Sequence, residues 1–209
     1  MSGYYPVFLD LAQRRCLVVG GGPVAEGKVA GLLAAGARVT VVSPIVTERL
    51  AAWAAERRIV HAARPYRADD LDGRQLAFTA TDDPAVTAAV SADGRARGVW
   101  VNAADDPAHC DFILPAVVRR GRLAVAISTG GASPAAARAI REELDGYLTT
   151  AHAALVELAA EARADLRRRG RSAPAARWRD ALGAPLRRLV AERRYREARV
   201  EISRNLESA

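Results

Sequence analysis

The stretch Val18-Val19-Gly20-Gly21-Gly22-Pro23-Val24-Ala25-Glu26 decides the fold. The apolar run Cys16 to Val19 reads as a strand, and a helical pattern opens at Pro23, so the spacing Gly20-x-Gly22-x-x-Ala25 falls at a strand-to-helix turn. Gly20 permits the tight turn, Gly22 lets backbone approach a pyrophosphate, and Ala25 lets helix and strand pack closely. The helix start adds free N–H groups and a positive dipole end. Gly20, Gly21, Gly22, Pro23 and Val24 are therefore expected to bind a dinucleotide cofactor. A glycine turn in a ligand-free α/β domain is the plainer alternative, and the flanking strand and helix favour the ligand.

Working outward, Val-rich apolar runs alternate with Ala-rich helical segments as far as Asn102, the pattern of buried parallel strands and crossover helices. Strands are expected at Cys16 to Val19, Arg38 to Val42, Ile59 to Ala62, Gln75 to Ala80 and Val99 to Asn102. Ser43 before Pro44 and Asp83 before Pro84 each pair an N-cap with proline at the first helical position. The second strand ends in Ser43-Pro44-Ile45, where an Asp or Glu would ordinarily hold the adenine ribose. With that acid missing, Ser43, Pro44 and Ile45 line the cofactor position, Arg49 lies one or two helical turns on, and NAD versus NADP stays open. Thr81 and Asp82 end the fourth strand on the same ligand-binding edge, with Asp83 as a helix cap. Asn102-Ala103-Ala104-Asp105-Asp106-Pro107 ends the fifth; Asp-Asp-Pro is also an ordinary turn signal.

After Pro107 the pattern changes. Phe112 to Arg119 and Arg122 to Ser128 are β-rich runs around a basic, Gly-containing turn, which predicts an antiparallel hairpin. Gly130-Gly131 breaks the second run, Ser133-Pro134 starts a long helix, and from about Ala151 onward the chain reads as helical, with a break at Gly170 to Pro174. The fold class is α/β: a Rossmann-type parallel sheet, then a small α+β segment, then a helical domain.

The chain has 209 residues, half of them hydrophobic, enough for a sizeable core without staples. Two cysteines, Cys16 and Cys110, indicate no disulfide framework, and a reducing cytoplasm is the simplest home. No secretory leader or twenty-residue apolar run is present, so an unexported protein with no membrane partner is expected. The net charge of +7 favours nucleic acid, phosphates or a carboxylate-rich substrate, and charge alone does not choose among them. Nothing resembles a nucleic-acid recognition helix. Lys28 is the only lysine; the Arg-dense end reads as a solvated helix face. His61, His109 and His152 are scattered, so no resident metal site is expected.

Taken together, the phosphate loop with Lys28, Ala80-Thr81-Asp82-Asp83, Asn102-Ala103-Ala104-Asp105, Phe112-Ile113-Leu114-Pro115-Ala116 and Ala126-Ile127-Ser128-Thr129-Gly130-Gly131-Ala132-Ser133-Pro134 form an ordered series. From about Tyr5 to Leu148 the chain resembles precorrin-2 dehydrogenase, the N-terminal dehydrogenase and ferrochelatase module of siroheme synthase. Tyr5-Pro6-Val7-Phe8-Leu9 matches that family's opening strand. The resemblance implies NAD-dependent oxidation of precorrin-2, a tetrapyrrole with eight carboxylate arms, to sirohydrochlorin. Some members also insert ferrous iron, so ferrous or cobalt ion is a candidate second substrate. It implies that Asp105 is the catalytic acid–base group, since hydride loss from the macrocycle requires loss of a proton, and that Asn102 and Ser128 are on the substrate side. It implies a homodimer built by residues 111–148, between an NAD-binding domain at 1–110 and a helical domain at 149–209. A chain stopping at Ala209 has no room for the methyltransferase module, so a separate protein would supply precorrin-2. The rival expectations are a non-catalytic NAD-binding redox sensor and a chelatase alone.

Overall fold

The apolar run before the glycines forms β1 (Arg15–Val19), and the helical pattern after them forms α1 (Pro23–Ala34). Chain order continues with β2 (Arg38–Val42), α2 (Glu48–Ala55), β3 (Ile59–Ala62), β4 (Leu76–Thr79), α3 (Pro84–Arg97) and β5 (Trp100–Ala103). A computed structural model describes residues 4–104 and 106–207. They divide into two units, Met1–Ile113 and Leu114–Ala209.

In the first unit all five strands pair in parallel, in the order β3-β2-β1-β4-β5. The chain builds outward from β1 to β3, then returns to the other side of β1, so β1 and β4 flank a topological switch point. Side chains alternate faces along a strand, and β1 accordingly supplies two cores. Cys16 and Val18 join Val29 and Leu32 of α1 with Leu50 and Trp53 of α2. Leu17 and Val19 join Val90 of α3 and Val101 of β5. Burying one such aliphatic side chain stabilises by roughly 1.5–3 kcal/mol, which is why these strands read as continuous apolar runs.

In the first unit three elements depart from the sequence expectation. The helix expected at Ser43-Pro44 starts at Glu48 instead, with Thr47 as its N-cap. A 3-10 turn, Ala68–Leu71, replaces a crossover helix between β3 and β4. Tyr5-Pro6-Val7-Phe8-Leu9 forms no strand: the sheet's outer members are β3 and β5, neither pairs with this segment, and Tyr5 and Phe8 are 87% and 71% exposed.

The second unit opens with the hairpin β6 (Ala116–Arg120) and β7 (Leu123–Ile127), paired antiparallel. Gly121, at φ +58°, starts its two-residue turn, a conformation that favours glycine. The first strand begins four residues later than expected. Phe112 is occupied in the first unit, where its ring meets Phe78 edge-on at 5.6 Å, and Pro115, lacking an N–H, precedes the ladder. Helices α4 (Pro134–Tyr147), α5 (Thr150–Arg168), α6 (Ala175–Ala181), α7 (Ala184–Ala191) and α8 (Tyr195–Glu207) follow. Leu158 and Leu166 of α5, Leu186 and Val190 of α7 and Ile202 and Leu206 of α8 make its core. Gly170, at φ +64°, ends α5 at the expected break. Among the described residues no helix is long and apolar enough to cross a membrane.

Candidate active site

The phosphate loop lies at the carboxyl end of β1, and its three glycines do different work. Gly20 adopts φ +121°, and a Cβ there would stand 2.0 Å from the Ala80 carbonyl oxygen at the end of β4. Its N–H donates to Val42 O at 3.0 Å, so the turn is wedged between β2 and β4. A Cβ on Gly21 would lie 2.0 Å from Ile45 O and 2.8 Å from Ser43 Oγ. The glycine inside the motif is therefore demanded by the loop after β2, a reason the spacing alone does not reveal. Gly22 has ordinary extended backbone, φ −82° and ψ −173°, and an added Cβ would meet nothing within 4 Å. Among the described residues nothing fills the space beside Gly22 and no side chain caps α1, and Pro23 at its first position removes one donor that would otherwise be orphaned. Ala25 is fully buried against the sheet, as the motif requires. Open space at an uncapped helix start fits a pyrophosphate.

The loop after β2 closes over Gly21. Thr47 N–H donates to Gly21 O at 2.9 Å, Ser43 N–H donates to Ala62 O at 3.2 Å, and His61 Nε2 lies 2.9 Å from Ser43 O. Ser43 Oγ donates to Ile45 O at 2.6 Å, so its proton is turned inward. Ile45 is 81% exposed at the rim, an apolar wall beside Pro44. Thr47 Oγ1 accepts from Leu50 N–H at 3.3 Å and donates to Glu26 Oε2 at 2.8 Å. Arg49 Nη1 reaches the other carboxylate oxygen of Glu26 at 3.3 Å, and its guanidinium lies 4.8 Å from the Trp53 ring centre. This tether explains the displaced helix start: Thr47 caps α2 while bound to both Gly21 and Glu26.

The ends of β4 and β5 complete the edge. Ala80 N–H donates to Val19 O at 2.8 Å, and Ala104 N–H donates to Thr79 O at 3.0 Å. Thr81 Oγ1 accepts from Asp83 N–H at 3.3 Å, and Asp83 caps α3 through Ala85 N–H and Val86 N–H, as read from the sequence. Asp82 is exposed beside them. Asn102 is 6% exposed. Its amide donates to Phe112 O at 2.9 Å and Cys110 Sγ at 3.5 Å, and accepts from Lys28 Nζ at 3.5 Å. Cys110 Sγ also accepts from Ala103 N–H at 3.1 Å, and burial pushes its thiol pKa up. Asp106 Oδ2 and His109 Nδ1 are 2.7 Å apart. Asp105 lies outside the described residues.

The structure thus brings Gly20 to Val24, Ser43 to Ile45 and Thr81 to Asp82 to one edge of one sheet. Ser128 belongs to the second unit, where it directly follows β7 and is exposed; its Oγ accepts from Gly130 N–H at 3.1 Å. Among the described residues no group of three or more His, Cys, Asp or Glu side chains is placed to hold a metal ion. Glu26, Thr47 and Cys110 escaped the sequence reading. Glu26 carries the ordinary signal of an acid in a first helical turn, and its partners lie 21 and 23 residues away.

Comparison with known proteins agrees with this geometry. Residues 7–116, just over half of the chain, match a family model described as "Putative NAD(P)-binding", and residues 120–147 match one described as "Sirohaem biosynthesis protein central". A siroheme synthase of Nitrosomonas europaea is 44% identical over 167 residues, 79% of this chain and 35% of the relative. One of Thioalkalivibrio sulfidiphilus is 41% identical over 214 residues, 98% of this chain and 42% of the relative. The chain therefore spans less than half the length of these curated relatives. A solved structure titled "SirC, precorrin-2 dehydrogenase" superimposes with a TM-score of 0.77 at 29% identity, covering 96% of this chain and 100% of the other. With a glycine loop, a β3-β2-β1-β4-β5 sheet and a family model that spans most of its first unit, the chain belongs to the NAD(P)-binding family.

Proposed function

We propose that the protein oxidises precorrin-2 to sirohydrochlorin with NAD as the oxidant, a step of siroheme biosynthesis. The observation that carries this reading is the match along nearly the whole of both chains to a structure titled precorrin-2 dehydrogenase. The phosphate loop adds support, since its open face at Gly22 suits a dinucleotide.

Gly20, Gly21, Gly22, Pro23 and Val24 hold the pyrophosphate at the start of α1; Ser43, Pro44 and Ile45 flank the adenosine, and Thr81 and Asp82 line the crevice. Bound NAD supplies the hydride acceptor. Asp105, following β5, takes the proton that the macrocycle loses with its hydride. Ser128 hydrogen-bonds the substrate. Asn102, its amide already engaged, acts on the substrate side by fixing the end of β5 to Lys28 and Phe112. The net charge of +7 suits a substrate with many carboxylates.

Residues 1–110 form the NAD-binding domain, 111–148 the dimerisation segment and 149–209 the helical domain. Leu114, Ile140 and Tyr147, exposed by 52%, 41% and 68%, support burial against a second copy as a homodimer. Both cysteines are free thiols, as suits the cytoplasm.

Purified protein given precorrin-2 and NAD should generate the sirohydrochlorin spectrum. NAD binding without turnover would overturn the dehydrogenase reading in favour of a redox sensor. A parallel assay with sirohydrochlorin and ferrous or cobalt ion reads out metal insertion, in which the ion is a substrate.

A further inference from the structure

In doubly wound folds the residue ending β2 ordinarily decides whether the adenosine ribose carries a free hydroxyl or a phosphate. Here that residue is Ser43, which has no charge, and the structure ties two charged side chains to its loop instead. We propose that Glu26 and Arg49, locked to the loop through Thr47, make the site prefer a dinucleotide without a 2′-phosphate. The inference rests on the cofactor reading above and assigns a selectivity role to residues outside the phosphate motif.

Four observations support it. Arg49 stands in the first turn of α2, two residues beyond Thr47, where a cation for a 2′-phosphate would be useful. Its side chain is 63% exposed, and its guanidinium is drawn to Glu26 Oε1 at 3.3 Å and lies 4.8 Å from the Trp53 ring centre. Glu26 is held by both oxygens, the second accepting from Thr47 Oγ1 at 2.8 Å, and its side chain is only 24% exposed, so a fixed and poorly screened negative charge sits beside the loop. Ser43 gives its proton to Ile45 O and offers an incoming group only acceptor capacity, which suits a ribose hydroxyl and not a phosphate. Glu26 is a positioning residue here: it acts by restraining Arg49 and by its charge.

Calorimetry on the full chain with NAD and with NADP tests this. The unaltered protein should bind NAD at least about tenfold more tightly than NADP. Glu26→Gln keeps an acceptor for Thr47 but removes the charge that restrains Arg49. It should shrink the preference about tenfold, chiefly by tightening NADP, with NAD affinity changed by less than about threefold. Adding Arg49→Met to Glu26→Gln should restore most of the preference, because the freed guanidinium is then gone. An unchanged preference in Glu26→Gln, or an equally reduced one in the double variant, overturns the proposal. NADP bound as tightly as NAD by the unaltered protein does the same. Failure of that protein to bind either nucleotide overturns the cofactor reading itself.

Discussion

Gly20 and Gly22 separate two demands that a glycine motif usually confounds, and alanine at each position should give opposite results. A Cβ at Gly22 meets nothing within 4 Å and the backbone there is extended, so Gly22→Ala should change stability by no more than about 0.5 kcal/mol. At Gly20 the new Cβ would enter a positive-φ conformation, costing about 1–2 kcal/mol. It would also stand 2.0 Å from Ala80 O, and relieving that contact pulls on the 2.8 Å Ala80 N–H bond to Val19 O, worth about 1 kcal/mol. Overpacking against Ala80, with the backbone shift it forces, adds a further 1–3 kcal/mol, for a total of roughly 3–6 kcal/mol. At about 2–4 °C per kcal/mol for a chain of this size, Gly20→Ala should melt at least about 6 °C lower, and Gly22→Ala within about 2 °C of the unaltered protein. NAD binding should reverse the ranking of what each residue serves. A methyl group in space needed by pyrophosphate costs roughly 1–3 kcal/mol, or about five- to 150-fold in Kd, so folded Gly22→Ala should bind NAD that much more weakly. Differential scanning fluorimetry and calorimetry read both quantities. Unaltered NAD affinity in Gly22→Ala would refute the placement of the pyrophosphate, and normal stability in Gly20→Ala would refute the wedge against β4.

Asp105→Asn should lower precorrin-2 oxidation by about 10²- to 10⁴-fold while NAD binding and dimerisation persist, followed as sirohydrochlorin absorbance; near-normal turnover would remove Asp105 from the chemistry. Burial pushes the Cys16 thiol up from 9.0 to about 11, with Arg74 pulling partly against it. The native state then holds a proton that the unfolded chain loses first, so stability should be intact below about pH 9 and fall by about 2–3 kcal/mol as pH rises to 11. Urea titrations at several pH values should show that slope, and a Cys16→Ala variant should lack that part of it. Ile202→Ala empties a fully buried position in the second unit's core and should destabilise that unit by about 2–5 kcal/mol in urea denaturation followed by circular dichroism.

The sheet was legible because its central strands, β1 and β4 above all, bury both faces, leaving runs such as Leu17-Val18-Val19 that no amphipathic helix would show. Asp83 and Ser133 were legible as caps because an N-cap acts on N–H groups two or three residues away. Ser43 failed by the same rule. Its neighbour Pro44 gave the local signal, while Thr47 won through bonds to Gly21 and Glu26 that exist only after β1 and β2 pair. Phe112 reads as strand by composition, and its place against Phe78 is set by the return of the chain past β5. The glycine motif located the site, but the division of labour among Gly20, Gly21 and Gly22 depends on Ala80 and Ile45, which are remote in sequence. Glu26 was hidden for that reason too, since it looks like a routine surface charge on its own helix; Arg49 was legible as a cation beyond the adenosine position, but its bond to Glu26, 23 residues away, was not.

The wedge of Gly20 against Ala80 also bears on protein engineering. A glycine-rich nucleotide loop is commonly treated as a portable cassette, transferable with its strand and helix into another α/β scaffold. In this protein the cassette has a non-contiguous half: the carbonyl that ends β4 occupies the room of a missing side chain, and the Ile45 carbonyl does so for Gly21. A recipient sheet whose neighbouring strand ends one residue earlier or later would leave that room empty or overfilled, so register at the adjoining strand must be matched along with the glycines.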